Sequence, residues 1–261
     1  MNDWSQLTAW LEPHAIAVAL CAARLLPIAF LCPLLGGQAA PMTVRLGVTL
    51  ALSLGIHVAG GVAPTGVETA WGLVGAALKE VTFGMVIGLL ASLPFDAART
   101  GGRFIDLFRG SSAEAALPSA RTKESATGDA LYQLLVTLVI TGGMFPLVLG
   151  SIVRSFKWIP LGAFNPSEHL ALEVARLVGV AFATGLAIGG PIAAGCLLVD
   201  WFLGLMSRGA PNLQLSELSA PLRILGGGAA LWLGVGVIAE RLLHTVASQQ
   251  DAIASLLGAT Q

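Results

Sequence analysis

Charge is scarce in this sequence. Only 11% of the 261 residues are charged, less than half of the roughly 25% found in an average soluble domain. Hydrophobic residues make up 55% of the chain, and the mean hydropathy is +0.80. This composition excludes an ordinary soluble protein. It predicts an all-α integral membrane protein, because a helix satisfies its own backbone hydrogen bonds in lipid.

The residue patterns that bind nucleic acid, metals or cofactors are missing too. The net charge is −1, and neither a basic run nor an aromatic platform is present, which excludes nucleic-acid binding. The three cysteines lie in apolar runs without metal-ligand spacing, so we expect small buried residues. The sequence also lacks a zinc motif, a phosphate loop and a nucleophile elbow. We therefore expect no catalytic site and no cofactor.

The apolar residues are arranged in long runs. A helix needs about 20 mostly apolar residues to cross the hydrocarbon layer, and six runs meet this length. The fifth contains Pro191 among several glycines and could form two shorter helices. We expect one membrane-embedded domain over residues 1–261. The six predicted helices are Ala15–Leu35, Val44–Val62, Ala70–Phe95, Ala130–Val153, Leu172–Met206 and Leu222–Val246.

The connection after the third run holds more basic residues than any other connection. It contains Arg99, Arg103, Arg109, Arg121 and Lys123, whereas the first, fourth and fifth connections carry one or two and the second carries none. With six simple crossings, the positive-inside rule places the odd-numbered connections in the cytoplasm and the N-terminus outside.

A few charges interrupt the apolar runs, among them Arg24, Lys79, Glu80 and Asp200. A charge at mid-bilayer costs about 2.5 to 3.5 kcal/mol, so each should face protein or water. One interpretation is an ion pathway, as in a small-molecule secondary transporter. The other is that adjacent opposite charges, such as Lys79 and Glu80, lie near helix ends or bind neighbouring subunits. Arg24 and Asp200 lie deeper and fit the second interpretation less well.

A polar stretch bounded by prolines, Arg208–Arg223, separates the last two apolar runs. Its polar side chains need hydrogen-bonding partners if they are removed from water. The stretch is therefore either a boundary loop or a buried joint.

Several short segments, taken in their order along the sequence, carry a family resemblance. Residues 101–110 read GGRFIDLFRG, residues 128–133 read GDALYQ, residues 158–162 read WIPLG, and residues 210–215 read APNLQL. In this order and spacing, the chain resembles the T subunit of the type III secretion export apparatus (SctT), a relative of the flagellar subunit FliR. The resemblance covers essentially the whole chain. Ile105–Gly110 looks more like the injectisome branch than the flagellar branch.

The resemblance implies a structural and gating subunit of a protein-export channel in the bacterial inner membrane. Such a subunit is present as a single copy among the smaller R and S subunits, together with a U switch subunit and an export ATPase complex. It is not an enzyme, and unfolded proteins are the substrates. Its helices form bent hairpins, and much of the assembly lies above the usual membrane plane.

The resemblance also implies a pore plug in the connection over about residues 96–129. Apolar side chains there suit a constriction, and the charged ones can hydrogen-bond at its edges. The alternative is an amphipathic surface turn. The implied plug residues are Arg103, Phe104, Ile105, Asp106, Leu107, Phe108, Arg109 and Gly110. The implied subunit-packing joint comprises Pro211, Asn212, Gln214, Glu217, Pro221 and Arg223.

Overall fold

Helices make up the regular structure of the described part of the chain. The computed structural model describes residues 3–37, 40–60, 69–110, 125–209 and 215–258, and within these ranges no strand is present. A single 3-10 turn, Pro33–Leu35, follows the first helix. The predicted all-α class is confirmed. The helices are α1 Asp3–Leu31, α2 Met42–Gly60, α3 Ala70–Arg109, α4 Ala126–Thr141, α5 Phe145–Trp158, α6 Glu168–Gly209 and α7 Leu215–Gly258.

Five of the described helices, α1, α2, α3, α6 and α7, are long and apolar enough to cross a membrane. The pair α4 and α5 counts as a sixth crossing only if the two are taken as one broken span. This composition and length confirm a multi-pass membrane protein. The sidedness of the connections stays a prediction.

The fourth apolar run is broken, so the predicted single helix Ala130–Val153 is wrong. α4 ends at Thr141, and Gly143 follows with φ 71°, a left-handed conformation that favours glycine at helix ends. Pro146, at the start of α5, begins a new helix without loss of an intrahelical hydrogen bond. α4 has 16 residues and is about 24 Å long, less than the roughly 30 Å hydrocarbon layer.

Other predicted boundaries differ as well. α1 ends at Leu31 because Pro33 begins the 3-10 turn. α3 continues past its predicted end at Phe95 as far as Arg109. α6 is one helix of 42 residues rather than two, and Pro191 lies inside it, since a membrane helix tolerates the loss of one backbone hydrogen bond. α7 begins at Leu215, seven residues before its predicted start at Leu222.

The chain divides into two compact units. The first has a core of α1, the first part of α3, and α5, with Leu20, Ile28 and Phe83 fully buried. In the second, Phe95, Ile105 and Leu135 are buried. The first unit comprises Met1–Ser92, Gly142–Leu177 and Ser248–Gln261, and the second comprises Leu93–Thr141 and Val178–Ala247.

Glycines allow the helices of the first unit to approach closely. A Cβ atom on Gly84 would overlap the carbonyl oxygen of Arg24, and one on Gly88 would lie 3.0 Å from Ile28 Cα. These two glycines lie four residues apart on the face of α3 that contacts α1. This small-residue pair therefore lets the two helices pack closely.

Glycines serve the same purpose in the second unit. A Cβ atom on Gly185 would lie 2.7 Å from the carbonyl oxygen of Ala97, and one on Gly189 would lie 2.6 Å from that of Gly101. α3 and α6 therefore pack backbone to backbone at this point. Gly102 contacts the α4 backbone at Gly128 in the same way. Each contact leaves no room for a side chain.

We expect Gly189→Ala to destabilise the protein by about 1–3 kcal/mol, because the added methyl group collides with backbone rather than with a side chain that can move. Gly179→Ala is the matched control on the same helix, since nothing lies within 4 Å of its added methyl group. Thermal unfolding in detergent, followed by size-exclusion chromatography, measures both. Equal melting temperatures for the two variants would contradict the assigned contact.

Candidate functional site

The segment predicted to form the plug begins as the last two turns of α3. Residues 103–109 are helical, and Gly110 follows with φ 66°, the left-handed conformation that glycine adopts readily. Residues 96–109, which were expected in a connection, are therefore helical. Residues 126–129 likewise belong to α4. Residues 111–124, the middle of that predicted connection, lie outside the described residues.

The end of α3 has an outer apolar face and a buried inner face. Leu107 is 71% exposed, whereas Ile105 is fully buried and Asp106 is 5% exposed. The side chains of Phe104 and Phe108 are half-buried, and their rings are T-shaped, edge to face, with centroids 4.9 Å apart. Phe104, Leu107 and Phe108 share one helix face by their spacing. The end of α3 therefore presents apolar side chains on its outer face, and its buried inner face attaches it to the rest of the fold.

Asp106 anchors this segment to the start of α4. Its Oδ2 accepts hydrogen bonds from the Ser125 hydroxyl at 2.5 Å and from the Thr127 backbone N–H at 2.9 Å. Its Oδ1 accepts one from the Thr127 hydroxyl at 2.5 Å. Ser125 Oγ in turn accepts a hydrogen bond from the Gly128 N–H, as an N-cap does. The carboxylate thus occupies a helix N-terminus, where backbone N–H groups and the helix dipole favour negative charge.

Arg109 connects the same segment to α7. Its Nη2 donates to the carbonyl oxygen of Ile224 at 3.2 Å, and its Nη1 donates to Thr127 Oγ1 at 3.3 Å. Nη1 also lies 3.7 Å from Asp106 Oδ1. The side chain crosses Gly227, where a Cβ atom would lie 2.6 Å from Arg109 Cγ. Gly227 therefore supplies the space that this arginine occupies.

The predicted subunit-packing joint is only partly described. Pro211, Asn212 and Gln214 lie outside the described residues. Glu217, Pro221 and Arg223 belong to α7 rather than to a connection between helices.

Arg223 binds Asp200 across α7 and α6. Its Nη1 donates to Asp200 Oδ2 at 3.1 Å, and both side chains are about a third exposed or less. Arg223, expected in the subunit-packing joint, and Asp200, expected as a charge within an apolar run, thus form one ion pair. A Cβ atom on Gly110 would lie 3.7 Å from Arg223 Nη2, so this pair also borders the end of α3.

Arg24 and Glu80 form a fully buried ion pair in the first unit. Arg24 Nε donates to Glu80 Oε2 at 2.5 Å, and Nη2 donates to Oε1 at 3.0 Å. Both side chains have no exposed surface. The two parallel hydrogen bonds fix the orientation of the guanidinium as well as its charge.

The remaining polar atoms of this pair bind backbone. Arg24 donates to the carbonyl oxygens of Ser155 and Ile159, at and just beyond the end of α5. Glu80 Oε1 accepts from the Gly162 N–H at 2.8 Å. A cation near a helix C-terminus is favoured by the helix dipole. The pair therefore joins α1 and α3 to the end of α5 and the turn that follows it.

Two phenylalanine rings contact the Arg24 guanidinium. Its central carbon lies 4.7 Å from the centroid of the Phe83 ring and 4.3 Å from that of Phe156. Such cation–π contacts become stronger when water is excluded. Glu80, one of the adjacent charges expected near a helix end or at a neighbouring subunit, is instead bound to Arg24 in the core of the first unit. Neighbours in a helix point in different directions, so Lys79 does not share this face.

The sequence model of the bacterial export proteins, family 1, matches residues 15–248. The chain belongs to this family. The resemblance to the T subunit of the type III export apparatus and to FliR is confirmed.

Individual relatives agree with this membership. The export protein is 30% identical over 224 residues to the flagellar biosynthetic protein FliR of Caulobacter vibrioides, covering 85% of this chain and 89% of the relative. It is 28% identical over 193 residues to the Yop proteins translocation protein T of Yersinia pestis, covering 73% and 72%. It is also 23% identical over 224 residues to SpaR of Shigella sonnei, covering 84% and 86%. Since both branches match, the injectisome assignment stays a prediction.

Within its described residues, the export protein has no group of three or more His, Cys, Asp or Glu side chains that could hold a metal ion. Cys21, Cys32 and Cys196 are unpaired and buried, as expected for small apolar core residues. Cys32 lies just beyond the α1 span, and burial raises the pKa of its thiol to about 11. This thiol is therefore protonated at neutral pH and a poor nucleophile.

We expect Glu80→Ala to lower the free energy of unfolding by about 3–5 kcal/mol, because it leaves Arg24 buried without its counter-charge. The double variant Arg24→Met/Glu80→Leu should lose less, since neither charge remains. Arg176→Met is the control, because Arg176 has a 74% exposed side chain in its ion pair with Glu173, and exposed pairs contribute about 1 kcal/mol or less.

Thermal or denaturant unfolding in detergent distinguishes these variants. A loss as small for Glu80→Ala as for Arg176→Met would contradict a structural role for the buried pair.

Proposed function

We propose that this chain is the T-type subunit of a type III protein-export channel in a bacterial inner membrane, where it helps form the entry for unfolded protein substrates. The family match over residues 15–248 carries this proposal. It is supported by the similarity to proteins named for flagellar biosynthesis and for Yop translocation. The chain serves as structure and gate, and the energy for export comes from other components.

Partner subunits are part of this proposal. α7 leaves large apolar side chains uncovered, with Leu225, Trp232 and Leu233 each more than 70% exposed. α6 and α7 have 42 and 44 residues, which corresponds to about 65 Å of helix, twice the roughly 30 Å hydrocarbon layer. Lipid alone cannot cover such lengths if they stand along the membrane normal. The R and S subunits cover the remainder, with the U subunit and the export ATPase complex acting nearby.

The end of α3 is the proposed gate. Phe104, Leu107 and Phe108 form an apolar face that Ile105 and Asp106 support from behind. A ring of apolar side chains excludes water and ions from a narrow passage.

A small-molecule transporter is the less favoured alternative. It was suggested by Arg24 and Asp200, which lie in apolar helices. Each of these charges is bound to an opposite charge, Glu80 and Arg223 respectively. The Arg24 pair is closed to solvent and held by backbone groups on several sides. Such a pair suits a fixed structural role better than a site that binds and releases ions.

We expect Leu107→Asn combined with Phe108→Asn to raise the ion conductance of the assembled complex several-fold, because polar side chains let water enter an apolar constriction. Leu172→Asn is the control, since Leu172 is similarly exposed, at 65% against 71% for Leu107, and lies outside the proposed gate. Conductance in planar bilayers measures both. Wild-type conductance in the double variant would exclude this face as the gate.

We also expect the chain to be more stable in detergent when it is co-expressed with two small hydrophobic partner proteins, because its apolar helices are otherwise uncovered. Affinity purification followed by size-exclusion chromatography measures the assembly. A monodisperse single chain that binds a small solute would instead favour the transporter.

A further inference from the structure

The proposed gate segment carries the two charged side chains that fasten it to its own chain. Asp106 and Arg109 are half-buried or buried, and each bonds to a different helix, Asp106 to the start of α4 and Arg109 to α7. Thr127 connects the two. Its hydroxyl donates to Asp106 Oδ1 and accepts from Arg109 Nη1. The last turn of α3 is therefore held on two sides by one continuous set of hydrogen bonds.

These contacts differ from ordinary helix packing because they are polar, directional and concentrated in one turn. Asp106 accepts hydrogen bonds from two hydroxyls and one backbone N–H, which occupies most of the acceptor sites of a carboxylate. Hydrogen bonds to an ionised group are shorter and stronger than neutral ones. Such a set forms or breaks as a unit, because losing one member leaves another buried group unsatisfied.

We propose that Asp106, Arg109 and Thr127 form a latch that holds the gate segment closed, and that the gate opens when these hydrogen bonds break. This inference rests on the proposed gating function of the end of α3. The latch residues lie behind the apolar face of Phe104, Leu107 and Phe108, so they fix its position without forming the constriction. Contacts within this chain then hold the gate segment closed, without contacts from a partner subunit.

Gly227 makes the latch testable without altering the gate or α4. An added methyl group at this position would collide with Arg109 Cγ and Cδ, at 2.6 and 2.9 Å. The Arg109 side chain must then shift from its position against α7. Gly226, the preceding residue, has nothing within 4 Å of an added methyl group. The two single substitutions are chemically identical and differ only in whether they displace Arg109.

The experiment compares the ion conductance of the assembled complex, normalised to the amount of complex recovered, for Gly227→Ala and Gly226→Ala. We expect Gly227→Ala to raise the leak about tenfold, the change that loss of one hydrogen bond to a charged group supports. Gly226→Ala should conduct like the unsubstituted complex. Thr127→Val, which removes the connecting hydroxyl, should leak as Gly227→Ala does, and Thr127→Ser should restore closure because it keeps that hydroxyl.

The outcomes separate the latch from the gate. If Leu107→Asn/Phe108→Asn leaks while Gly227→Ala and Thr127→Val stay closed, the gate stands and the latch is overturned. If none of these variants leaks, both proposals fail. If Gly226→Ala and Gly227→Ala leak equally, the leak results from changing α7 rather than from displacing Arg109, and the latch is overturned. If Thr127→Val prevents assembly, the comparison of Gly226→Ala with Gly227→Ala decides whether the latch holds the gate closed.

Discussion

The buried ion pair of Arg24 and Glu80 is the interaction on which the first unit depends. A buried charge is tolerated only if an opposite charge and hydrogen-bonding groups surround it. Here the requirement brings α1, α3 and the end of α5 to one point, and Gly84 lets the backbones come close enough for the pair to form. The same rule shapes the second unit, where Asp106 and Asp200 each meet an arginine. In an apolar chain, the few charges determine which helices meet.

The sequence predicted the apolar helices well because their signal is local. Runs of hydrophobic residues identified most of the spans. It failed where a partner lies far along the chain. Arg24 and Glu80 are separated by 56 positions, and no local pattern in the sequence pairs them. The polar end of α3 was predicted as a connection, since Thr127 and Ile224, which satisfy its charges, were not recognisable beforehand.

The gate and the latch proposed for the end of α3 divide its residues by chemistry. Apolar side chains on one face suit the exclusion of water, and charged side chains on the other suit attachment to the fold. Helical periodicity makes this division possible, because neighbours in sequence point to different sides. One turn can therefore both close a passage and respond to the packing of α4 and α7. A movable gate segment needs both faces, because an apolar face that is not attached to the fold would have no defined position in the passage.

The lengths of α6 and α7 have a consequence for how the protein is made in the cell. Apolar helix that extends beyond the hydrocarbon layer meets water unless another protein covers it. A copy synthesised in excess of its partners therefore exposes surface that aggregates or attracts proteases. In the proposed assembly the partner subunits cover this surface, so balanced synthesis of the subunits would limit the loss of uncovered copies.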